Sequence, residues 1–549
     1  MANISEYTDA IRNAVYGEQV RGSIIDALEA VNDDNNSYQQ IKQDILDTKD
    51  DIDQTVGEFN QTASDAVSAV QSQETSSVSA VNDAADAKIT VMNGIVEQAE
   101  QVVSDVTDEL NDIKEYLGDI PENVVGIQVD FANKLFKRLG GAEGKTMGAD
   151  FDVFPMFGGR RRCCVDNDGT ILSFYGDDTY SEDGSNGQVM VYQPKFYYRV
   201  VPLKLDKNTV SGIGYHIRKA NYYVSNIPQT GFKLHPAFYD ANGNEVDYIL
   251  LSAYEGSMYD TSASAYVNDG TNTDTGIAED DLLASVAGVK PISGLKKNLT
   301  KANAEALANH RGSGWHLETI KATMANVLLM IIEFGTLNTQ TALGNGVVSI
   351  TDNSAYNCSS LTGSTASLGN ASGAAAETIN EIGGTETTYN TNGKVSVTYR
   401  GMENPWGNIF KHIQGINIWG NGHMGGGQPY VADGLSDFTE SSHSGNYKPV
   451  GFTIPNASGY INALGYGDPD FDWLLMPSEI GGTSSLPVGD YTYVTANLNG
   501  YRIALLGGRW TDGTLAGGFY WYLGVGVGTR YRYIGGRLVY VPQRPSNDD

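Results

Sequence analysis

The sequence predicts a multidomain chain with an N-terminal α-helical, trimeric coiled-coil stalk, a central sandwich-like β domain and a C-terminal α+β domain. Three observations carry this prediction. Composition changes abruptly near residue 120, from Ala, Asp, Gln, Ser and Val to Gly, Tyr, Trp and Pro. Before that point, apolar residues recur at heptad spacing. After residue 290, two helical patterns precede Gly-rich loops and short aromatic strands.

At 549 residues the chain exceeds one ordinary core and predicts three or four structural units. Its 66 acidic and 36 basic residues leave a formal charge of −30. That field repels nucleic acid and anionic lipid, so neither is an expected ligand. No run approaches the eighteen apolar residues of a membrane-spanning helix, and no membrane insertion is expected. Met1-Ala-Asn-Ile-Ser-Glu-Tyr lacks the basic-then-apolar order of a signal peptide, which predicts synthesis in a cytosol. Cys163, Cys164 and Cys358 are too few for a disulfide framework, and no C-x-x-C pair suggests zinc.

Residues 1–34 read as a compact helical cap, with Ile4, Tyr7, Ile11, Val15, Val20, Ile24, Ile25 and Leu28 making stripes interrupted at Gly17 and Gly22. Residues 35–120 read as the stalk. Ile52, Val56, Phe59, Ala63, Ala66 and Val70 alternate at spacings of four and three, the seam of a coiled coil. The phase slips after Val70 and resumes at Val81, Ala85, Met92, Ile95, Ala99, Val102, Val106 and Ile113. An eleven-residue gap is stutter-sized and unwinds a supercoil without ending it. Small and β-branched seam residues favour more than two strands, and a parallel homotrimer is expected. An intramolecular helical bundle is the alternative, but no Pro precedes Pro121 and no Gly-rich turn offers a hairpin.

Residues 121–150 read as a connector, with a short amphipathic helix from Ile127 to Leu139 before Gly140-Gly141. Residues 151–288 carry strand signals, as in Gln188-Val-Met-Val-Tyr and Lys195-Phe-Tyr-Tyr-Arg-Val-Val-Pro-Leu-Lys-Leu, separated by turns such as Asp166-Asn-Asp-Gly and Asp240-Ala-Asn-Gly-Asn. Residues 289–549 form the last unit. Leu295–His310 reads as one helix, and Gly314–Gly335 as a second, apolar one stopped by glycine. Short strands follow at Gly415-Ile-Asn-Ile-Trp, Asp472-Trp-Leu-Leu-Met-Pro and Ile503-Ala-Leu-Leu.

Signs of catalysis are weak. Asp177-Asp178, Glu279-Asp-Asp and Asp468-Pro-Asp470 could supply a carboxylate pair, but adjacency in sequence does not set the spacing a glycosidase needs, and turn roles are favoured. The seven histidines show no H-E-x-x-H spacing, and His310 and His316 read as satisfied interior or interface groups. Gly158-Gly-Arg-Arg-Arg-Cys-Cys is a basic cluster in an acidic chain, read as an inter-subunit salt-bridge site rather than a phosphate site. Asn268-Asp-Gly-Thr-Asn-Thr-Asp could hold calcium but lacks EF-hand spacing. No catalytic residue, metal or cofactor is expected.

Two resemblances add to this reading. Ile4-Ser-Glu-Tyr-Thr-Asp-Ala-Ile-Arg-Asn-Ala-Val-Tyr-Gly through Leu28 resembles the opening of baseplate and tail-fibre proteins of phages that infect Gram-positive bacteria. That resemblance implies that residues 1–34 dock to a phage tail. Gly401-Met-Glu-Asn-Pro-Trp-Gly-Asn-Ile-Phe, Gly415-Ile-Asn-Ile, Trp473-Leu-Leu-Met-Pro, Gly507-Gly-Arg-Trp, Gly517-Gly-Phe-Tyr-Trp-Tyr-Leu and Ile534-Gly-Gly-Arg-Leu occur in this order. The series resembles the C-type-lectin-like domain of phage tail receptor-binding proteins, including retroelement-diversified ones of the major-tropism-determinant type.

The second resemblance implies a non-enzymatic tail-tip adhesin in the virion, which binds a bacterial surface receptor, protein or glycan. A tail-associated glycan depolymerase acting on cell-wall or capsular polymer is the alternative. Trp510, Phe519, Trp521, Leu523, Ile534 and Leu538 are then scaffold. Thr511, Asp512, Tyr522, Gly524, Val525, Val527, Thr529, Arg530, Tyr531, Arg532 and Tyr533 are variable display positions, and of these Tyr522, Arg530, Tyr531, Arg532 and Tyr533 are expected at the surface, where truncation costs little stability. One observation stands beside the resemblance. Tyr501 to Tyr540 contains no Lys, Glu, Gln or Met, residues that adenine-directed mutagenesis of AAY codons cannot generate. Tyr and Arg on a rigid scaffold also suit recognition, because they give large contact area at low entropic cost.

Overall fold

A computed structural model describes residues 43, 53–58, 60–62, 64, 86–99, 121–268, 276–294, 297–351, 355–380 and 388–544. The chain divides into two units, Met1–Ile120 and Pro121–Asp549. Within the first, residues 53–58 and 86–99 are helical. On the second of these segments Ile89, Val91, Ile95 and Val96 are exposed. The cap at 1–34 and most of the seam lie outside the described residues.

The second unit is mostly β, with several sheets. Its first strands are β1 (Val124–Asp130) and β2 (Leu135–Gly140), antiparallel partners with Val125 opposite Gly140. They occupy the stretch expected to be an amphipathic helix. Val124, Val125, Ile127 and Val129 are β-branched and buried, and β1 pairs on its other edge with a long central strand, so sheet burial overrides the helical spacing. Asp130 caps the intervening turn by accepting from the Asn133 amide, and Lys134 takes φ 57°.

Next come β3 (Arg161–Val165), β4 (Ile171–Phe174), β5 (Gln188–Pro194), β6 (Tyr197–Lys207), β7 (Tyr215–Ser225) and β8 (Tyr248–Ser252). The predicted turns join them: Asp166 Oδ1 accepts from the Asp168 and Thr170 amides, and Asp240 Oδ1 from those of Asn242 and Asn244. Helix α1 (Lys301–Asn309), β9 (Trp315–Leu317) and helix α2 (Ile320–Phe334) follow. Helix α1 begins later than its apolar pattern suggests, because Asn298 takes φ 56° and Thr300 caps the helix by accepting from the Asn303 amide. Helix α2 ends as expected at Gly335, whose φ of 68° is a left-handed cap.

The remaining strands used here are β10 (Phe410–Asn421), β11 (Gln428–Ala432), β12 (Gly459–Tyr466), β13 (Tyr491–Val494), β14 (Asn499–Leu506), β15 (Trp521–Leu523), β16 (Ile534–Gly535) and β17 (Leu538–Tyr540). Residues 472–476, expected as a strand, form no ladder, although 473–476 are buried; pairing begins at Pro477.

The larger sheet runs β2-β1-β7-β12-β13-β15-β14-β10-β11, with β6 on the other edge of β7. A second, six-stranded sheet runs β9-β17-β8-β5-β3-β4. Both sheets mix strands from 151–288 with strands from 289–549. The central segment therefore shares its sheets with the C-terminal half rather than closing on itself as a sandwich. Helix α2 packs against β1, β7 and β10, and every residue of it but Lys321 is buried, the pattern of a helix enclosed on all sides. Its one buried acid, Glu333, is matched by the Arg400 guanidinium at 2.6 Å.

Candidate functional site: an aromatic face over strands β13, β15 and β10

Strand β15 lies between β13, to which it runs parallel, and β14, to which it runs antiparallel. Side chains alternate across a sheet. Trp521 and Leu523 are fully buried on one side, while Tyr522 points to the other and is half-buried. Tyr493 stands opposite Tyr522 in register, and their rings stack at 4.5 Å and 14°. Beneath them lies Phe410 of β10, 1% exposed, with ring centroids 5.3 Å from Tyr520, 5.3 Å from Tyr522 and 6.3 Å from Tyr533. A small second core thus forms on this side of the sheet, from Val348, Ile503, Leu505, Val525, Ile534 and Phe410, with Tyr491, Tyr522 and Tyr533 as its partly buried rim.

The segment from 524 to 533 folds over this core. Gly528 takes φ 78°, and the Thr529 amide donates to the Gly526 carbonyl at 3.2 Å. The Tyr531 carbonyl accepts from the amides of Gly294 (2.9 Å) and Ile534 (3.1 Å). A Cβ on Gly294 would come within 2.6 Å of the Tyr531 nitrogen, so only glycine permits this approach. Arg532 Nη1 donates to the Ala355 carbonyl at 2.6 Å. Tyr531 stacks on Tyr533 at 5.2 Å and 23°, and the Arg509 guanidinium lies 4.0 Å from the Tyr533 ring centre while pairing with Asp512 at 3.0 Å.

Burial sets the protonation of the face. It pushes the Tyr522 phenol up to about 12, with the neighbouring phenols of Tyr533, Tyr493 and Tyr531 adding to the shift. Burial also raises Tyr533, against the Arg509 charge. Both phenols are neutral at neutral pH and can donate as well as accept. Burial raises the Asp512 carboxyl too, opposed by Arg509.

Trp510, Phe519, Trp521, Leu523, Ile534 and Leu538 are all buried. Thr511, Val527 and Tyr531 are exposed, and Asp512, Tyr522, Gly524, Thr529, Arg530, Arg532 and Tyr533 are half-buried. Val525 departs from the expected display role: it is 8% exposed and packs in the second core. Tyr522 and Tyr533 are not simple surface residues either, since each covers Phe410. Tyr491, Tyr493 and Arg509 were missed. The alternation Tyr491-Thr-Tyr-Val was the available signal for the first two, and Arg509 sits inside the quoted Gly507-Gly-Arg-Trp motif.

Other candidates resolve into structure. Arg160 and Arg162 are buried and bonded within the chain: Arg160 donates to Asn326 Oδ1 (2.7 Å), and Arg162 pairs with Glu182 (3.1 Å). Only Arg161 of the three is exposed, lying over Phe174 at 3.9 Å, so the cluster is an internal brace rather than the expected inter-subunit site. His316 is half-buried and bonds Glu305, whereas His310 bonds the Asp281 carbonyl but is exposed, not the interior group expected. Asp177, Asp281 and Asp468 accept from nearby backbone amides in turns. Among the described residues, no group of three or more His, Cys, Asp or Glu could hold a metal ion; most of the Asn268 loop lies outside them. No described helix is long and apolar enough to cross a membrane.

No protein-family model matches the chain, and no curated protein matches it in sequence. Solved structures with some likeness include the Major Tropism Determinant U1 variant, at 11% identity, covering 70% of this chain and 72% of that one with a TM-score of 0.24. The P3c variant aligns at 12% identity over 69% and 71% with a TM-score of 0.22, and the I1 variant at 12% over 70% and 72% with 0.23. Likeness at this level does not establish a common fold.

Proposed function

We propose that this chain is a phage tail-tip adhesin that binds a bacterial surface receptor, protein or glycan, through the aromatic face around Tyr522, Tyr531 and Tyr533. The observation that supports this reading is the construction of the face. Two stacked tyrosine pairs rest on a buried phenylalanine, so their side chains are held before any ligand arrives, while Tyr493, Val527 and Tyr531 remain exposed. Prearranged rings offer contact area with little entropy left to lose on binding. Neutral phenols add hydrogen bonds without a charge to desolvate. The absence of Lys, Glu, Gln and Met from 501–540 fits diversification of this segment by a retroelement.

In this reading the C-terminal region is lectin-like in plan, residues 35–120 assemble three chains, and residues 1–34 attach them to the tail, placing the protein in the virion. Three heads on one stalk would give avidity to weak single sites. The test is adsorption of the full-length protein to intact cells of a susceptible strain, with the supernatant assayed for reducing sugar. Saturable, reversible adsorption without sugar release is expected. Progressive release of reducing ends would identify a depolymerase instead.

A further inference from the structure

We infer that Tyr493 is a fixed anchor of the binding face, contributed from outside the segment whose composition fits diversification. This rests on the adhesin reading above. Tyr493 lies on β13, whose flanking residues Thr492 and Val494 are buried, while Tyr493 itself is 42% exposed. Its ring stacks flush on Tyr522, the nearest display residue, and Tyr522 in turn adjoins Tyr533 over Phe410. The anchor is therefore continuous with the face and not a separate surface residue.

A glycine supplies the second observation. Gly524 follows Tyr522 at the next position on the same side of the strand. A Cβ there would fall 2.5 Å from Tyr493 Cε1 and 2.6 Å from Cδ1, closer than any real contact. Gly524 is absent from the positive-φ glycines, so its backbone conformation does not itself demand glycine. Any side chain there would have to push the Tyr493 ring off its seat on Tyr522. Gly524 also holds its neighbour strand through its carbonyl, which accepts from Thr495 Oγ1 at 3.3 Å. The chain thus keeps an entropically costly residue within the display segment to seat an exposed aromatic ring outside it. An exposed ring serves the fold little; at the margin of a binding face it supplies constant contact area while its neighbours vary.

The experiment compares full-length wild type with Tyr493→Ala, Gly524→Ala, the double variant and Tyr531→Ala. Each is assayed for melting temperature and for affinity to intact cells of a strain that adsorbs the wild type. Tyr493→Ala should weaken binding by about tenfold or more without changing the melting temperature. Gly524→Ala should also weaken it, and the double variant should be no worse than Tyr493→Ala alone, because both changes remove one feature. Should Tyr493→Ala melt early, Tyr493→Lys keeps a long stem over Tyr522 and must still lose binding at an unchanged melting temperature. If Tyr493→Ala and Tyr493→Lys bind within twofold of wild type while Tyr531→Ala does not, the anchor is wrong and the adhesin reading stands. If none of them loses affinity, the adhesin reading fails and the anchor with it. Additive losses from Tyr493→Ala and Gly524→Ala would overturn the coupling.

Discussion

Two tyrosines two residues apart should behave oppositely when truncated. Tyr533 is half-buried and touches Phe410 (6.3 Å), Trp510 (6.5 Å), Tyr531 (5.2 Å) and the Arg509 guanidinium (4.0 Å). Removing a fully buried large aromatic costs about 3–5 kcal/mol. Half that burial alone places Tyr533→Ala near ~2 kcal/mol, and the lost ring pairs, worth about 0.5–1.5 kcal/mol each beyond area, add to it. Tyr531 is 40% exposed, stacks on one neighbour, and is held in place by its carbonyl rather than its ring. Its truncation should cost less than about 1 kcal/mol. Calorimetry on the full-length variants, following the transition of the 121–549 unit, reads the difference directly. Tyr533→Ala should melt clearly below wild type and Tyr531→Ala close to it. The reverse order would refute the second-core assignment, and equal small effects would mean that Tyr533 covers nothing.

Three further outcomes are expected. Trp521→Ala should cost about 3–5 kcal/mol and abolish cell binding through unfolding, because Trp521 is fully buried beneath the face; a melting temperature within a degree of wild type would contradict this. His235 is buried among Phe196, Phe238 and Trp473, and burial pushes its imidazole down to about 3. The unfolded chain gains a proton near pH 6.5 that the folded chain refuses until about pH 3, so stability falls as pH drops through that window. By pH 4 His235→Asn should avoid a loss on the order of 3 kcal/mol, seen as a shallower fall of melting temperature than in wild type. Finally, native mass measurement should give three chains per particle; a stable monomer at micromolar concentration would contradict the stalk reading.

Legibility in the sequence followed the range of the interactions. The body and end of helix α2 were readable because their signals are local, an unbroken apolar run and Gly335 after it, but its start was not: Trp315–Leu317, expected as helix, is strand β9, which pairs with the distant β17. Strands β5 and β6 were also readable from local signals. The β1–β2 hairpin was misread because Ile127–Leu139 has helical spacing; what decides the outcome is β7, roughly ninety residues away in sequence, against which Val125 and Ile127 pair. The same limit applies to the site. The resemblance separated Trp521 and Leu523 from Tyr522, but it placed Val525 on display, where the structure turns it inward beside Ile503, whose amide donates to its carbonyl. Phe410 and Tyr493 reach the face only through sheet pairing; the alternation Tyr491-Thr-Tyr-Val marks a strand for Tyr493 but not the partner it stacks on. The Arg160–Arg162 run suggested a surface role by its charge; Glu182 and Asn326, the groups that neutralise or satisfy it, come from elsewhere in the fold.

Tyr531 is proposed to bind the host receptor while contributing little to the fold. The measurement that tests it most directly is equilibrium adsorption of full-length Tyr531→Ala to intact cells of a susceptible strain, paired with its melting temperature. The account predicts at least about a tenfold loss of affinity, with the melting temperature within a degree or two of wild type. Wild-type adsorption by a protein that melts normally would contradict it.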